Sequence, residues 1–311
     1  ENDLENLKKR LVGNLQRAKD NTRSQARGKF SRIIYPENHP NHNREIDDEI
    51  VDVKSISVAD LHSYHKNNYG LSNMLVVAVG DIDNTVLSTA LQNAFGGWTH
   101  SGLKIPKRTL SANKASSAIH YLTIEDKTSV DMFLGLPIGI DNKHDDYYAL
   151  LVGNYILGGN FAARLMQTVR DKMGLTYGIY SSVRGASNGN DGYWSIWGTF
   201  APDLLQKGKS AAMDQIHEWV AGITDEELLA KQETITGSYK VGMATTGGMA
   251  GQILSNAERG DEDKMLDDYP RIIQGITLEQ VNSTVQKYII PDNLVIVAAG
   301  SVDENGEPLK K

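Results

Sequence analysis

Leu4, Leu7, Leu11, Leu15 and Ala18 recur at three- and four-residue spacing, which puts them on one face of a helix predicted over 3–27. The same periodicity predicts helices near 57–68, 84–95, 144–157, 162–172, 203–221, 225–242, 247–259, 265–273 and 277–288. Shorter, nearly unbroken apolar runs predict strands near 74–79, 118–124, 130–136, 177–185, 192–200 and 293–299. Ser187-Asn188-Gly189-Asn190-Asp191-Gly192 lies between two of these runs and predicts a hairpin turn. With the strands in one block and helices gathered after them, the expected class is α+β. The expected sheet is mostly antiparallel, with helices packed on one face. The polar stretch from Trp98 to Ala118, with Pro106 and two Ser-rich segments, reads as a linker.

The pattern repeats. Ile56-Ser57-Val58-Ala59-Asp60-Leu61 aligns without gaps, 220 residues on, with Ile276-Thr277-Leu278-Glu279-Gln280-Val281. At the same offset Asn73-Met74-Leu75-Val76-Val77-Ala78-Val79-Gly80 aligns with Asn293-Leu294-Val295-Ile296-Val297-Ala298-Ala299-Gly300. Each copy reads as a Ser/Thr-capped helix, a short turn, and a buried strand ending in Gly. A weaker match at an offset of 224 pairs Leu4 with Leu228 and Gly13 with Gly237. The expectation is a duplicated domain whose first copy is truncated at its N-terminus. Residues 1–105 would be the later half of a first domain, 106–117 the linker, and 118–311 a complete second domain. The chain opens on Glu1 with no basic-then-apolar leader, which reads as a mature form or a fragment.

Length and charge narrow the possible functions. At about 150 residues per domain, 311 residues agree with two domains. A net charge of −7 is not the footprint of a general nucleic-acid binder. The apolar runs are strand-length and too short for a membrane-spanning helix. The absence of cysteine removes disulfides, thiolate metal sites and cysteine nucleophiles, and leaves the compartment open.

Most sequence features that suggest chemistry have plain structural readings. His62 and His65 stand three apart on a predicted helix, but no third ligand follows at helical spacing, so an ordinary His pair is expected. His39 and His42 lie in a Pro/Asn-rich loop and read as turn residues. His217-Glu218 begins a His-Glu-x-x-His motif, but Ala221 holds the last position. There is no Gly-x-Ser-x-Gly elbow and no phosphate-binding loop. Gly247, Gly248 and Gly251 suggest close helix packing or a bend. Asp261-Glu262-Asp263 lacks calcium-loop spacing and reads as a solvated loop.

The informative stretch runs from Asn154 to Ser181. A helix ends at Gly158-Gly159, and a second carries Arg164 and Arg170. That helix stops at Gly174, and a strand starts at Tyr177. Arg170 and Tyr177 lie seven apart across this corner, where their polar tips can converge on one extended peptide or one oxyanion. Leu157-Gly158-Gly159, Arg164-Leu165 and Val169-Arg170-Asp171-Lys172-Met173-Gly174-Leu175-Thr176-Tyr177 resemble the later-domain signature of the pitrilysin/insulinase family of zinc metallopeptidases, the inverted-motif zincins. Phe95-Gly96-Gly97-Trp98 and the helix-strand units ending at Gly80 and Gly300 fit the same family.

The resemblance implies duplicated α+β domains, with zinc held by His-x-x-Glu-His plus a distant Glu in one domain. An Arg/Tyr pair in a later domain grips the peptide; by position it is Arg170 and Tyr177, with Gly158 and Gly159 beside them. No His-x-x-Glu-His occurs in these 311 residues, and Asn14 holds the expected position of the distant Glu. The resemblance therefore implies a chain that holds no zinc and does not hydrolyse peptides alone. It would grip unfolded peptides and close over a zinc-bearing half or subunit. The alternative is a structural or scaffolding subunit related to respiratory-complex core proteins. The compartment is left unknown by the sequence, and the resemblance leans only toward the bacterial periplasm, where relatives of this type are often found.

Overall fold

The computed structural model describes residues 1–99, 102, 111–113, 116–187, 189–261 and 264–310. Most of the predicted linker, Asn188 of the hairpin turn, and Glu262 and Asp263 of the acidic stretch lie outside the described residues. The first segment holds α1 (Asn2–Lys19), α2 (Thr22–Ile34), α3 (Ile46–Ser55), α4 (Val58–Asn68) and α5 (Asn84–Phe95). The second begins with β1 (Ala118–Thr123), β2 (Val130–Pro137) and α6 (Tyr147–Gly158). A π-helix (Met166–Lys172), β3 (Thr176–Arg184) and β4 (Tyr193–Phe200) follow. Then come α7 (Leu205–Ala221), α8 (Asp225–Gly242), α9 (Thr246–Arg259), α10 (Met265–Gly275), α11 (Leu278–Tyr288) and β5 (Val295–Gly300).

The five strands form one mixed sheet in the order β1-β5-β2-β4-β3. Only β1 and β5 pair in parallel; the other neighbours are antiparallel, including the β3–β4 hairpin. The class is α+β, as expected. The helices, however, are not confined to one face. On one side α6, α7, α8 and α11 bury a core that includes Leu150, Ile156, Trp194, Trp219 and Val281. On the other, α2 lays Ala26, Phe30 and Ile34 against Phe133, Val295, Val297 and Ala299. The reason is in the strands: β5 is buried at every position, so both of its faces need cover.

Other differences have local causes. The helix predicted over 3–27 breaks in two because the Asn21 side chain accepts the Ser24 N–H at 2.8 Å and caps a new helix. α3 was not predicted. The strand predicted at 74–79 carries no strand pairing, since no described strand lies beside it; Leu75 and Val76 are about half exposed. The loop holding His39 and His42 is a clamp. His39 Nε2 lies 3.1 Å from Asp191 Oδ1, the Tyr35 hydroxyl donates to the Asp191 carbonyl at 3.1 Å, and Asn41 Nδ2 donates to the Gly185 carbonyl at 3.0 Å. These bonds tie the first segment to the β3–β4 turn. At Gly248 a Cβ would stand 1.8 Å from the Gly242 carbonyl, so the α8–α9 turn needs glycine there.

The two stretches that align at an offset of 220 share local features. Ser57 forms a capping box with Asp60, and Thr277 forms one with Gln280. Single 3₁₀ turns stand at Leu71–Asn73 and Pro291–Asn293, the same distance after each helix. Gly80 and Gly300 share nearly the same backbone, with φ of 158° and 157°.

Candidate functional site

The corner from α6 to β3 is built by close packing. A Cβ on Gly158 would lie 2.5 Å from the Ser181 nitrogen, so glycine lets α6 end directly against β3. A Cβ on Gly159 would lie 2.7 Å from Tyr155 Cα. Neither glycine lines the cleft described below; their side-chain-free backbones set the corner. Asn160 Oδ1 caps the following turn through the Ala162 N–H at 2.8 Å.

The predicted helix at 162–172 is a π-helix over Met166–Lys172, a form concentrated at functional sites. It buries Met166 and Val169 and leaves Arg170 at the surface. Gly174 ends it at φ 64° and donates its N–H to the Arg170 carbonyl at 2.9 Å. Arg164 does something different. Its Nε and Nη2 each donate to a Glu227 carboxylate oxygen at 2.6 Å, and Nη2 also reaches the Gly222 carbonyl at 3.2 Å. This fork ties the start of the corner to α8.

Burial pushes the Glu227 pKa up, but the Arg164 and Thr224 bonds outweigh it and hold it below the usual carboxylate value. A lowered folded pKa stabilises above the unfolded value of about 4.3, and that stabilisation is lost as pH falls. Glu227→Gln is therefore expected to lower Tm at neutral pH and to flatten the fall of Tm on acidification, as read by thermal melts across acid pH. A parallel acid limb in wild type and variant would show that Glu227 carries none of it.

Tyr177 owes its position to a β-bulge. Thr176 pairs with Phe200 and Gly178 with Thr199, which leaves Tyr177 as the extra residue. The buried Thr176 hydroxyl holds the bulge. It accepts the Gly178 N–H at 3.0 Å and donates to the Thr199 carbonyl. The result is a tyrosine that is 93% exposed at the start of a strand. The Arg170 guanidinium contacts only its neighbour Asp171, at 3.4 Å, among the described residues. An exposed pair of this kind contributes little stability and leaves most of the five N–H donors free.

Arg170 and Tyr177 line one cleft of about 790 Å³, together with Thr128, Ser129, Phe200 and Leu204. The structure thus brings together the two residues that the spacing paired. Sequence reasoning missed Thr176 and the 128–129 wall. The signal for the bulge was Gly178, an isolated glycine inside a strand pattern.

The metal candidates do not converge. Among the described residues no three His, Cys, Asp or Glu side chains are grouped to hold an ion. His65 stacks on Tyr69, with ring centroids 5.1 Å apart. Asn14 is exposed on α1 and its carbonyl oxygen accepts from Arg17. These residues do not fit a zinc site.

Residues 55–235 match the family model described as the peptidase M16 inactive domain, and the chain belongs to that family. An uncharacterized zinc protease of Streptomyces coelicolor is 24% identical over 241 residues, which cover 75% of this chain and 51% of the relative. The chain spans about half the length of the curated relatives it matches. The crystal structure of a peptidase M16 inactive domain from Pseudomonas fluorescens is 25% identical, with a TM-score of 0.82 over 96% of this chain and 70% of that one. A chain of complex III2 from Candida albicans shares the fold at 13% identity, with a TM-score of 0.75 over 96% of this chain and 72% of the other.

Proposed function

We propose that this chain is the substrate-gripping, non-catalytic half of a zinc endopeptidase. It holds an extended, unfolded peptide through Arg170 and Tyr177 and closes over a zinc-bearing half, on another chain or elsewhere in a longer protein. The observation that carries this is Tyr177, pushed out of the sheet by a bulge, lining one cleft with an Arg170 whose ion pair is a long one to its exposed neighbour Asp171. A folded protein seldom spends an aromatic side chain and a hydroxyl-held bulge on solvent. The phenol O–H and guanidinium N–H groups can donate to peptide carbonyls and to the oxygen that gains charge during hydrolysis. Gly158 and Gly159 act indirectly, by letting the corner close.

The same proposal takes residues 1–105 as the later half of a first copy and 118–311 as a complete second copy of one domain. Matching capping boxes, 3₁₀ turns and glycine backbones support it. So does the exposure of Leu75 and Val76, since their counterparts Val295 and Ile296 are buried on β5, between β1 and β2.

The alternative, a scaffolding subunit, draws on the fold shared with a complex III2 chain. One experiment separates the readings. The chain is tagged, captured with its native partners, and assayed on unfolded peptides before and after chelation. The gripping reading expects no cleavage by the purified chain and chelator-sensitive cleavage by the captured assembly. A large assembly with no peptidase activity supports the scaffold. Chelator-sensitive cleavage by the purified chain overturns both.

A further inference from the structure

The sheet face that α2 covers is only partly covered. α2 packs mainly on β5 and β2 and reaches β4 through Phe30 and Arg23; among the described residues no helix packs extensively over β3 on that face. Across it runs a row of rings. Trp197 and its cross-strand partner Tyr180 stack with centroids 6.2 Å apart and planes 3° from parallel. Phe161, 67% exposed in the turn after Gly158-Gly159, meets Tyr180 edge-on at 5.8 Å. At the other end the Arg23 guanidinium lies 3.8 Å from the Trp197 ring centroid.

Three exposed cations, Arg23, Arg27 and Arg184, stand on this face. Arg23 and Arg27 are exposed and make no ion pair among the described residues, and Arg184 bonds only Ser182 Oγ, at 3.1 Å. Arg184 is the cross-strand partner of Tyr193, and burial raises the Tyr193 phenol pKa while the charges of Arg184 and Arg27 act to lower it. Asp131 and Asp191 are turned inward, Asp131 bonded to Thr22 and Trp197 and Asp191 to His39 and the Ala112 N–H, so the solvent-facing charge of these five residues is cationic. A cationic, aromatic strip on a chain of net charge −7 needs an explanation.

We propose that this strip docks an extended acidic peptide segment with aromatic side chains at alternate positions. Same-face side chains of an extended chain repeat every ~6.6–6.8 Å, close to the 5.8 and 6.2 Å ring spacings. Alternate residues therefore meet successive rings, and the acidic residues between them meet the arginines. The inference rests on the reading that the chain handles extended polypeptide, and it adds a sequence preference outside the Arg170–Tyr177 cleft. An aromatic strip with arginines also suits single-stranded nucleic acid. The reading that the chain handles extended polypeptide favours the peptide, and the nucleic acid is the competing outcome of the test.

The test is fluorescence anisotropy on the full chain with a short labelled peptide of alternating Phe and Glu. Comparisons use its Phe/Lys and Ala/Glu counterparts and an oligothymidylate. The Phe/Glu peptide is expected to bind more tightly than all three, with the margin over Phe/Lys shrinking as salt rises. Phe161→Ser and Arg23→Gln are each expected to weaken it about fivefold or more with Tm unchanged. Arg170→Ala is expected to leave this binding intact, so failure of the cleft reading and failure of the strip are told apart. Equal affinity for Phe/Glu and Phe/Lys, absence of binding, indifference to both substitutions, or tighter binding of the oligothymidylate would each overturn the proposal.

Discussion

On the proposed gripping role, Arg170→Ala is expected to lower kcat/KM of the peptidase assembly by about 10²-fold while leaving the Tm of this chain unchanged. The magnitude is that of removing one preorganised donor aimed at developing negative charge. The unchanged Tm follows from the structure, because the guanidinium lies at the surface and its one contact is the adjacent Asp171. Tyr177→Phe removes a single hydroxyl from a side chain that is 93% exposed, so it too is expected to be silent in thermal melts. Its kinetic effect should be smaller, about tenfold, as expected for one neutral hydrogen bond. The split between constants assigns the role. A rise in KM at constant kcat marks ground-state grip of the peptide, and a fall in kcat marks contact with the tetrahedral intermediate. The double variant should lose less than the product of the single effects if both side chains hold the same peptide. Wild-type kcat/KM in both variants would remove the pair from the mechanism.

The sequence carried the pairing of Arg170 with Tyr177 because helix termination is a local event. Gly174 marks the stop, and the strand has to follow at once. It did not carry the π-helix. Hydrophobic spacing over seven residues, Met166–Lys172, does not separate a 3.6-residue period from a wider one, and the choice is made by packing against β3. The second face of the sheet was hidden for a similar reason. The apolar run at 293–299 announces a buried strand, yet nothing local says that α2, more than 250 residues earlier, supplies its cover. The unpaired segment at 74–79 shows the reverse limit. Its apolar content is that of β5, but a strand exists only beside another strand. His39 was read correctly as a loop residue; its bond to Asp191, 152 residues away, is a tertiary fact with no sequence signature.

Thr176→Val tests the link between fold and site most directly. Valine keeps the β-branched shape that suits a strand and removes only the hydroxyl. That hydroxyl serves both the Gly178 N–H and the Thr199 carbonyl, and Thr176 is buried, so neither group has water as a substitute. Leaving buried backbone groups unpaired costs about 1–3 kcal/mol. The chain has two ways to respond. It can keep the bulge and accept that cost, in which case Tm falls by several degrees while Tyr177 stays exposed. Or it can shift the first residues of β3 by one position, which restores the ladder but turns Tyr177 toward the other face of the sheet. The second response costs less backbone pairing, and it is the expected one. The variant should therefore fold with a modestly lower Tm, show a Tyr177 less open to surface labelling, and lose as much kcat/KM in the assembled peptidase as Tyr177→Phe does. Thr176→Ser keeps the hydroxyl and should restore both labelling and activity. If Thr176→Val matches wild type in Tm, labelling and kcat/KM, the bulge is held by the strand ladder alone and the hydroxyl is incidental.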